Sequence, residues 1–331
     1  VSAGRLEIAV ADIGGTNARF ARAWQSKEGG IALGDPVILA TREYSGFADA
    51  WRTFLLQQQQ FEPHGAALAL AGPANLDRFK LTNANWEFDT ATLLDDMAVP
   101  RLTLLNDFEA IAHAIASNVL AEDLMHIAGP PDPLPRDDTV TVIGPGTGLG
   151  IAYYSRHRGK PLIHATEGAH IDFAPVDRID DAILAALRKR HDRVSLERVI
   201  SGDGIAAIYS AIAQLEGGSA EETPGARQIW QLAMTGDEPV ARAALAQFVK
   251  TLGRAAGDYA LAQGASAVVL AGGIGQRLAK HYAAPAFHEA FCNKGRYRAM
   301  MEAMPIKLMV HPQPGLIGAA AAYFAQDHAQ E

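Results

Sequence analysis

The chain of 331 residues contains one cysteine, Cys292. A single thiol excludes an internal disulfide and any site built from several thiolates, and it suits a reducing compartment. By itself Cys292 reads as a small buried hydrophobe. Basic residues are the minority, 29 against 37 acidic, for a formal charge of −8. No Lys/Arg cluster of the kind that tracks a phosphate backbone occurs, so nucleic acid is not an expected partner. No uninterrupted apolar stretch approaches a membrane span. The opening VSAGRLEIAV lacks the basic start and long apolar core of a signal peptide. The expectation is a cytoplasmic protein with no membrane partner.

Several catalytic signatures are missing as well. GPGTGLG, residues 144–150, fails the G-x-G-x-x-G pattern because Leu149 stands where the third glycine belongs, and a strand rather than a helix is expected to follow. No G-x-x-x-x-G-K-[ST] loop exists, which removes a Walker-type nucleotide site. H-E-x-x-H and G-x-S-x-G are absent too, so zinc-peptidase and α/β-hydrolase chemistry lose their main support.

What the chain does have is length for two cores of ordinary size and three apolar runs that each end in glycines. LEIAVADIGGTNARFARAW (6–24) and TVTVIGPGTGLGIAYYS (139–155) read as strand, tight turn, strand. SAVVLAGGIGQRLAKHY (266–282) reads as a strand followed by a helix over Gly275 to Tyr282. Two glycine hairpins half a chain apart suggest a duplicated unit. Phe108, Ile111, Ala112, Ile115 and Val119 follow the spacing of a buried helix face. Helices are also expected over 179–190, 204–215, 229–262 with a break near 236–239, and 316–324. Strands interleaved with helices define an α/β protein. GPPDPLPRDD (129–138) and EGGSAEETPGA (216–226) are loops, and composition alone would place a domain boundary near the first.

The first turn offers backbone amides together with Thr16, Asn17 and Arg19, and the second offers Thr147 between Gly146 and Gly148. Successive amides in a turn form an anion-binding concavity, and two such turns could grip a polyphosphate. Asp12, an acid closing an apolar strand beside the first turn, is placed where hydrated magnesium would be held. Asp107, in LLNDFEA, admits two readings at this point. It caps the following helix, or it lies at the carboxyl end of a strand, where open α/β sheets hold their ligands.

ADIGGTNARF, TNANWEF, LLNDFEAIA, GPGTGLG, EGAH, LERVISGDGI, LAGGI and PGLIGAA occur in an order and spacing that resembles the bacterial glucokinase family. These are ATP-dependent enzymes of the sugar kinase, heat-shock chaperone and actin superfamily. The resemblance covers nearly the whole chain. It implies an α/β, two-domain, actin-like (ribonuclease H-like) sugar kinase fold with an interdomain cleft. Residues 1–117 plus 312–331 would form the small domain and 118–311 the large one, an earlier boundary than composition suggests.

The activity implied is transfer of the γ-phosphoryl group of Mg-ATP to the C6 hydroxyl of glucose, with Asp107 as catalytic base. By the same resemblance, Asn106, Glu167, His170 and Glu197 bind sugar hydroxyls. Asp12, Gly14, Gly15, Thr16, Asn17 and Arg19 match one phosphate turn, with Asp12 facing magnesium through water. Gly146, Thr147 and Gly148 match the other, and Gly272 and Gly273 match a turn near adenosine. Asn83 and Trp86 are candidates to line the cleft. The family commonly reads E-G-G-H where this chain has Ala169, whose methyl is expected to narrow the sugar pocket slightly. A homodimer is implied. The cysteine-rich zinc motif and DNA-binding domain of the related repressor and kinase family are missing, so neither structural zinc nor operator binding is expected. The alternatives are a kinase for another hexose (mannose, fructose or an amino sugar) and a sugar-binding regulator without turnover.

Overall fold

Parallel strands buried on both faces need near-continuous apolar sequence, and EIAVADI and AALAL supply it at the centre of the first sheet. The structure is a computed structural model that describes residues 6–27, 29–59, 61–72, 78–81, 86–117, 121–218, 223–282 and 284–327. It divides into two compact units, residues 1–121 with 311–331, and residues 122–310.

In the first unit the strands are β1 (Glu7–Ile13), β2 (Asn17–Gln25), β3 (Ile31–Leu33), β4 (Val37–Ala40), β5 (Ala66–Leu70), β6 (Arg78–Lys80), β7 (Glu87–Asp89) and β8 (Leu102–Asn106). The main sheet runs β3-β2-β1-β5-β8, with β4 also on β2, while β6 and β7 form a separate hairpin. β1, β5 and β8 are parallel, and Ile13, Leu70 and Asn106 lie at one level. Helices α1 (Phe47–Gln57), α2 (Leu93–Met97) and α3 (Asp107–Ala116) follow their strands, and the C-terminal helix Pro314–Asp327 joins this unit. Alternation along β1 splits the core between the two faces. Ala9, Ala11 and Ile13 pack with Phe20, Trp51 and Phe54, whereas Ile8 and Val10 pack with Leu316, Ala319 and Phe324.

The second unit repeats that plan. Its strands are β9 (Leu124–Ala128), β10 (Thr139–Pro145), β11 (Leu149–His157), β12 (Lys160–Thr166), β13 (Ala267–Leu270) and β14 (Ile306–Met309), in the order β12-β11-β10-β13-β14-β9. β10, β13 and β14 are parallel, with Ile143, Leu270 and Leu308 at one level. The order hairpin, parallel strand, parallel strand is therefore common to both units, as the two glycine hairpins suggest. Helices α4 (Arg178–Arg188), α5 (Gly204–Leu215), α6 (Ala226–Thr235), α7 (Pro239–Gln263), α8 (Gly273–Arg277), α9 (Ala279–Tyr282), α10 (Pro285–Cys292) and α11 (Arg298–Glu302) complete it. The break between α6 and α7 has its expected cause: Gly236 ends one helix at φ 76° and Pro239 opens the next. The helix expected over 275–282 is instead two short ones, α8 and α9, meeting at the fully buried Leu278. Helix α3 stops at Ala116, and Val119 lies outside the described residues. Among the described residues no helix is long and apolar enough to cross a membrane.

Helix packing in the first unit relies on one glycine. A Cβ built on Gly318 of the C-terminal helix would lie 1.6 Å from the Ala110 carbonyl oxygen of α3. Gly318→Ala must push the two helices apart, and forced overpacking of this kind costs about 3 kcal/mol. Urea unfolding of that variant should show the loss, with kinetic constants altered only as far as α3 is displaced.

Candidate active site

Strand register decides what meets at the carboxyl ends of the first sheet. Asp12 pairs across the β1-β2 hairpin with Arg19, and Arg19 Nη1 lies 3.5 Å from Asp12 Oδ2. Burial raises the Asp12 pKa, and the Arg19 guanidinium opposes that rise. The turn between the strands closes with Gly14 N donating to Asn17 O at 3.0 Å. It is held from outside by Thr41, whose hydroxyl donates to Gly15 O at 2.8 Å and whose amide donates to Thr16 O at 3.1 Å. Thr16 is exposed at the tip and Asn17 is half-buried. The start of the C-terminal helix closes the floor: a Cβ on Gly315 would come within 2.9 Å of the Asp12 carboxylate.

Two strands away, the junction of β8 and α3 separates the two readings of Asp107. The helix cap is Asn106, not Asp107. Asn106 Oδ1 accepts from Phe108 N at 2.9 Å and Glu109 N at 3.3 Å, while Glu109 Oε2 accepts from Asn106 N at 3.1 Å. That is a complete capping box. Asn106 Nδ2 also donates to Gly72 O at 3.1 Å, tying the end of β8 to the end of β5. Asp107 is the first helical residue, half-buried, and its Oδ1 accepts from Phe108 N at 2.9 Å. A helix N-terminus favours a negative charge there.

In the second unit the equivalent strand ends carry glycines. Gly146 N donates to Gly148 O at 2.8 Å, closing the turn, and Thr147 is exposed at its tip. Gly272 adopts φ +83°, and a Cβ on it would lie 2.7 Å from Pro145 O. The same turn is approached from below, since a Cβ on Gly144 would lie 2.1 Å from Ala271 O. The Gly272 turn thus packs against Gly144 and Pro145, which lead into the turn Gly146–Gly148.

Glu167 and His170 flank the short turn Gly168–His170, both exposed, with His170 Nε2 3.8 Å from Glu167 Oε2. The turn is fastened at several points. Tyr259 Oη on α7 donates to Gly168 O. Thr166 Oγ1 accepts from Gly168 N at 3.2 Å. Arg193 donates to His170 O and pairs with Asp172 at 2.5 Å. Ala169 is only 3% exposed and belongs to the hydrophobic core of this unit. Its methyl therefore fills the core rather than narrowing a sugar pocket. Glu197, half-buried on the turn Leu196–Arg198, accepts from Leu149 N at 3.0 Å through Oε2. Trp86 is buried, with its indole N–H donating to Thr41 O at 3.1 Å, so it packs the first turn's support. Asn83 lies outside the described residues.

Sequence reasoning missed the residues that hold these segments: Thr41, Arg193, Tyr259 and Gly315. Only Gly315 left a signal, as one of two glycines in PGLIGAA at the start of a helix. The others act across large sequence separations with no local pattern.

Acids and glycine turns at the strand ends of a sheet plan that occurs twice belong to a fold shared with sugar kinases of the actin-like ATPase class. The glucokinase family profile matches residues 9–326. The glucokinase of Zymomonas mobilis is 45% identical over 318 residues, covering 96% of this chain and 98% of that protein. The crystal structure of a glucokinase from an Antarctic psychrotroph superposes with a TM-score of 0.84 at 35% identity, covering 97% of this chain and all of that one. A Balamuthia mandrillaris glucokinase solved in complex with glucose shares the fold, with a TM-score of 0.80 at 21% identity over 97% of this chain and 95% of its own. The chain belongs to the glucokinase family.

Helix α3 carries Asp107 and also His113, whose pKa burial pushes down to about 4 from 6.5. Between those values the unfolded chain holds the proton and the folded one does not. The stability contribution is therefore complete above pH 6.5 and is lost as pH falls towards about 4, on the order of 3 kcal/mol. Denaturation at pH 7, 5.5 and 4 should show a smaller acid loss for His113→Gln than for the parent chain.

Proposed function

We propose that Asp107 is the general base of an ATP-dependent glucose kinase, taking the proton of the C6 hydroxyl as the oxygen attacks the γ-phosphorus. The observation that carries this reading is the capping box. Asn106 and Glu109 form the capping box of α3, so the acid beside them is not its cap, although its Oδ1 also accepts from Phe108 N. A sugar hydroxyl is a weak nucleophile, and a carboxylate in hydrogen-bond reach orients it and accepts its proton in the transition state. The O6–phosphorus bond forms as the bond from phosphorus to the β,γ-bridging oxygen breaks, and ADP leaves. Phosphoryl transfer otherwise depends on alignment and charge stabilisation.

Glu167, His170 and Glu197 bind the sugar hydroxyls. Carboxylates used in this way discriminate against sugars that lack one of those hydroxyls. Asn106 spends its carbonyl oxygen and one amide proton inside the protein, so its contribution to sugar is limited to the second amide proton. Gly14 to Arg19 and Gly146 to Gly148 receive the phosphates through backbone amides, with Gly272 and Gly273 beside the adenosine.

Among the described residues no group of three or more His, Cys, Asp or Glu could hold a metal ion. Magnesium commonly arrives with nucleotide phosphates, held by one or two carboxylates and by water. Asp12 at the first turn fits that donor set. When bound, magnesium neutralises charge on the transferring phosphates. The rest of the reading is a cytoplasmic enzyme of glycolysis acting as a homodimer, supported by the single cysteine and by the family.

The test is ADP release from Mg-ATP with glucose, mannose, fructose, glucosamine or no sugar. Glucose should drive turnover best. Asp107→Asn should lower kcat by roughly 10²- to 10⁴-fold while glucose still binds. A fully active Asp107→Asn protein, or turnover that needs no sugar, would overturn this assignment.

A further inference from the structure

Glu197 lies against the phosphate turn as well as in the sugar set. Its Oε2 accepts from Leu149 N, the first residue of β11, at 3.0 Å. A Cβ on Gly148 would lie 2.3 Å from that same oxygen. The carboxylate is therefore in contact with the turn, and any Cβ at position 148 would push it from its place. The segment carrying Glu197 touches the turn a second time, where Gly202 N donates to Gly146 O at 2.9 Å. Gly202 is fixed in its place by the Trp230 indole, which donates to Gly202 O at 2.8 Å. In the other direction, Leu196 N donates to Ile171 O at 2.9 Å and Phe173 N donates to Val194 O at 3.0 Å. Residues 194–202 thus join the segment that follows His170 to both ends of the turn Gly146–Gly148.

We propose that Glu197 is a positioning residue for the phosphate turn in addition to a sugar ligand, so that one carboxylate couples sugar occupancy to nucleotide affinity. This rests on the assignment of Glu197 to the sugar made above. A carboxylate can serve both tasks because its two oxygens accept independently. Oε2 is committed to Leu149 N, and Oε1 accepts from the sugar hydroxyl. A hydroxyl bound at Oε1 restricts the rotation of the whole group, which fixes the Leu149 amide and with it the amides of the turn. A phosphate on the turn restricts the same carboxylate from the opposite side. The coupling is reciprocal by linkage, and ordering alone can transmit it.

The experiment measures equilibrium binding to the full-length chain, with ADP in the absence of sugar and glucose in the absence of nucleotide. Glu197→Ala should weaken ADP about tenfold, the worth of one hydrogen bond to a charged acceptor. Glu197→Gln keeps an oxygen for Leu149 N and should restore ADP affinity to within about twofold of the parent. Gly148→Ala should weaken glucose about tenfold by displacing the Glu197 carboxylate. If Gly148→Ala does not fold, the Ala and Gln pair at position 197 still decides the matter. Loss of glucose binding in Glu197→Ala with ADP affinity intact overturns the coupling and leaves the sugar assignment standing. Unchanged glucose binding in Glu197→Ala overturns the sugar assignment, and the coupling falls with it.

Discussion

The strand-end residues of the candidate site depend on the parallel register that brings three strand ends to one level in each unit. Ile13, Leu70 and Asn106 stand abreast in the first sheet, and Ile143, Leu270 and Leu308 in the second. A one-residue slip would turn every side chain of a strand to the opposite face. In β1 it would exchange Ile8 and Val10 with Ala9, Ala11 and Ile13, emptying one core cluster and overfilling the other. The same slip would take Asp12 away from Arg19, its cross-strand partner in the hairpin. Core packing therefore enforces the position of Asp12, an acid that makes no part of the core itself.

The glycine turns, the strand-turn-strand segments and helix α5, whose two ends fall at Gly204 and Leu215, were legible because their signals are local. An apolar run stopped by glycines specifies a strand and its end whatever lies elsewhere in the chain. The division of labour between Asn106 and Asp107 was only half legible. The Asn-x-x-Glu spacing of a capping box is present in NDFE, yet an acid at the junction competes for the same role on paper. Ala169 shows the opposite limit. Its neighbours Glu167 and His170 are exposed, so position in a motif suggests a ligand-facing methyl, whereas the short helical turn Gly168–His170 points it into the core. Tyr259 and Arg193 were illegible for a plain reason: Tyr259 meets Gly168 across 91 residues of sequence, and no short-range pattern encodes that contact.

The turn Gly168–His170 is held by Tyr259 of α7, so its rigidity depends on what fixes that helix. Asp180 on α4 is fully buried and accepts from Gln247 Nε2 at 2.9 Å, and it pairs with Arg254 at 2.5 Å. Asp177 caps α4 through Asp180 N at 2.9 Å and accepts from Lys250 Nζ at 2.7 Å. Those hydrogen bonds outweigh the effect of burial and leave the Asp177 pKa below the ordinary carboxylate value.

A buried ion pair such as Asp180–Arg254 adds little net stability against a well-packed apolar alternative, but breaking it strands a charge in the interior. The use of these contacts is positional. Gln247, Lys250 and Arg254 recur at the spacing of one helix face, so α7 can neither rotate nor slide on α4 without leaving a carboxylate unpaired. Arg254 also lies over the Phe173 ring at 5.7 Å, and Tyr259, just over a turn further on, holds Gly168. A chain of polar contacts between α4 and α7 thus sets the height of the turn that presents Glu167 and His170, which apolar packing of the same volume would leave free to slide.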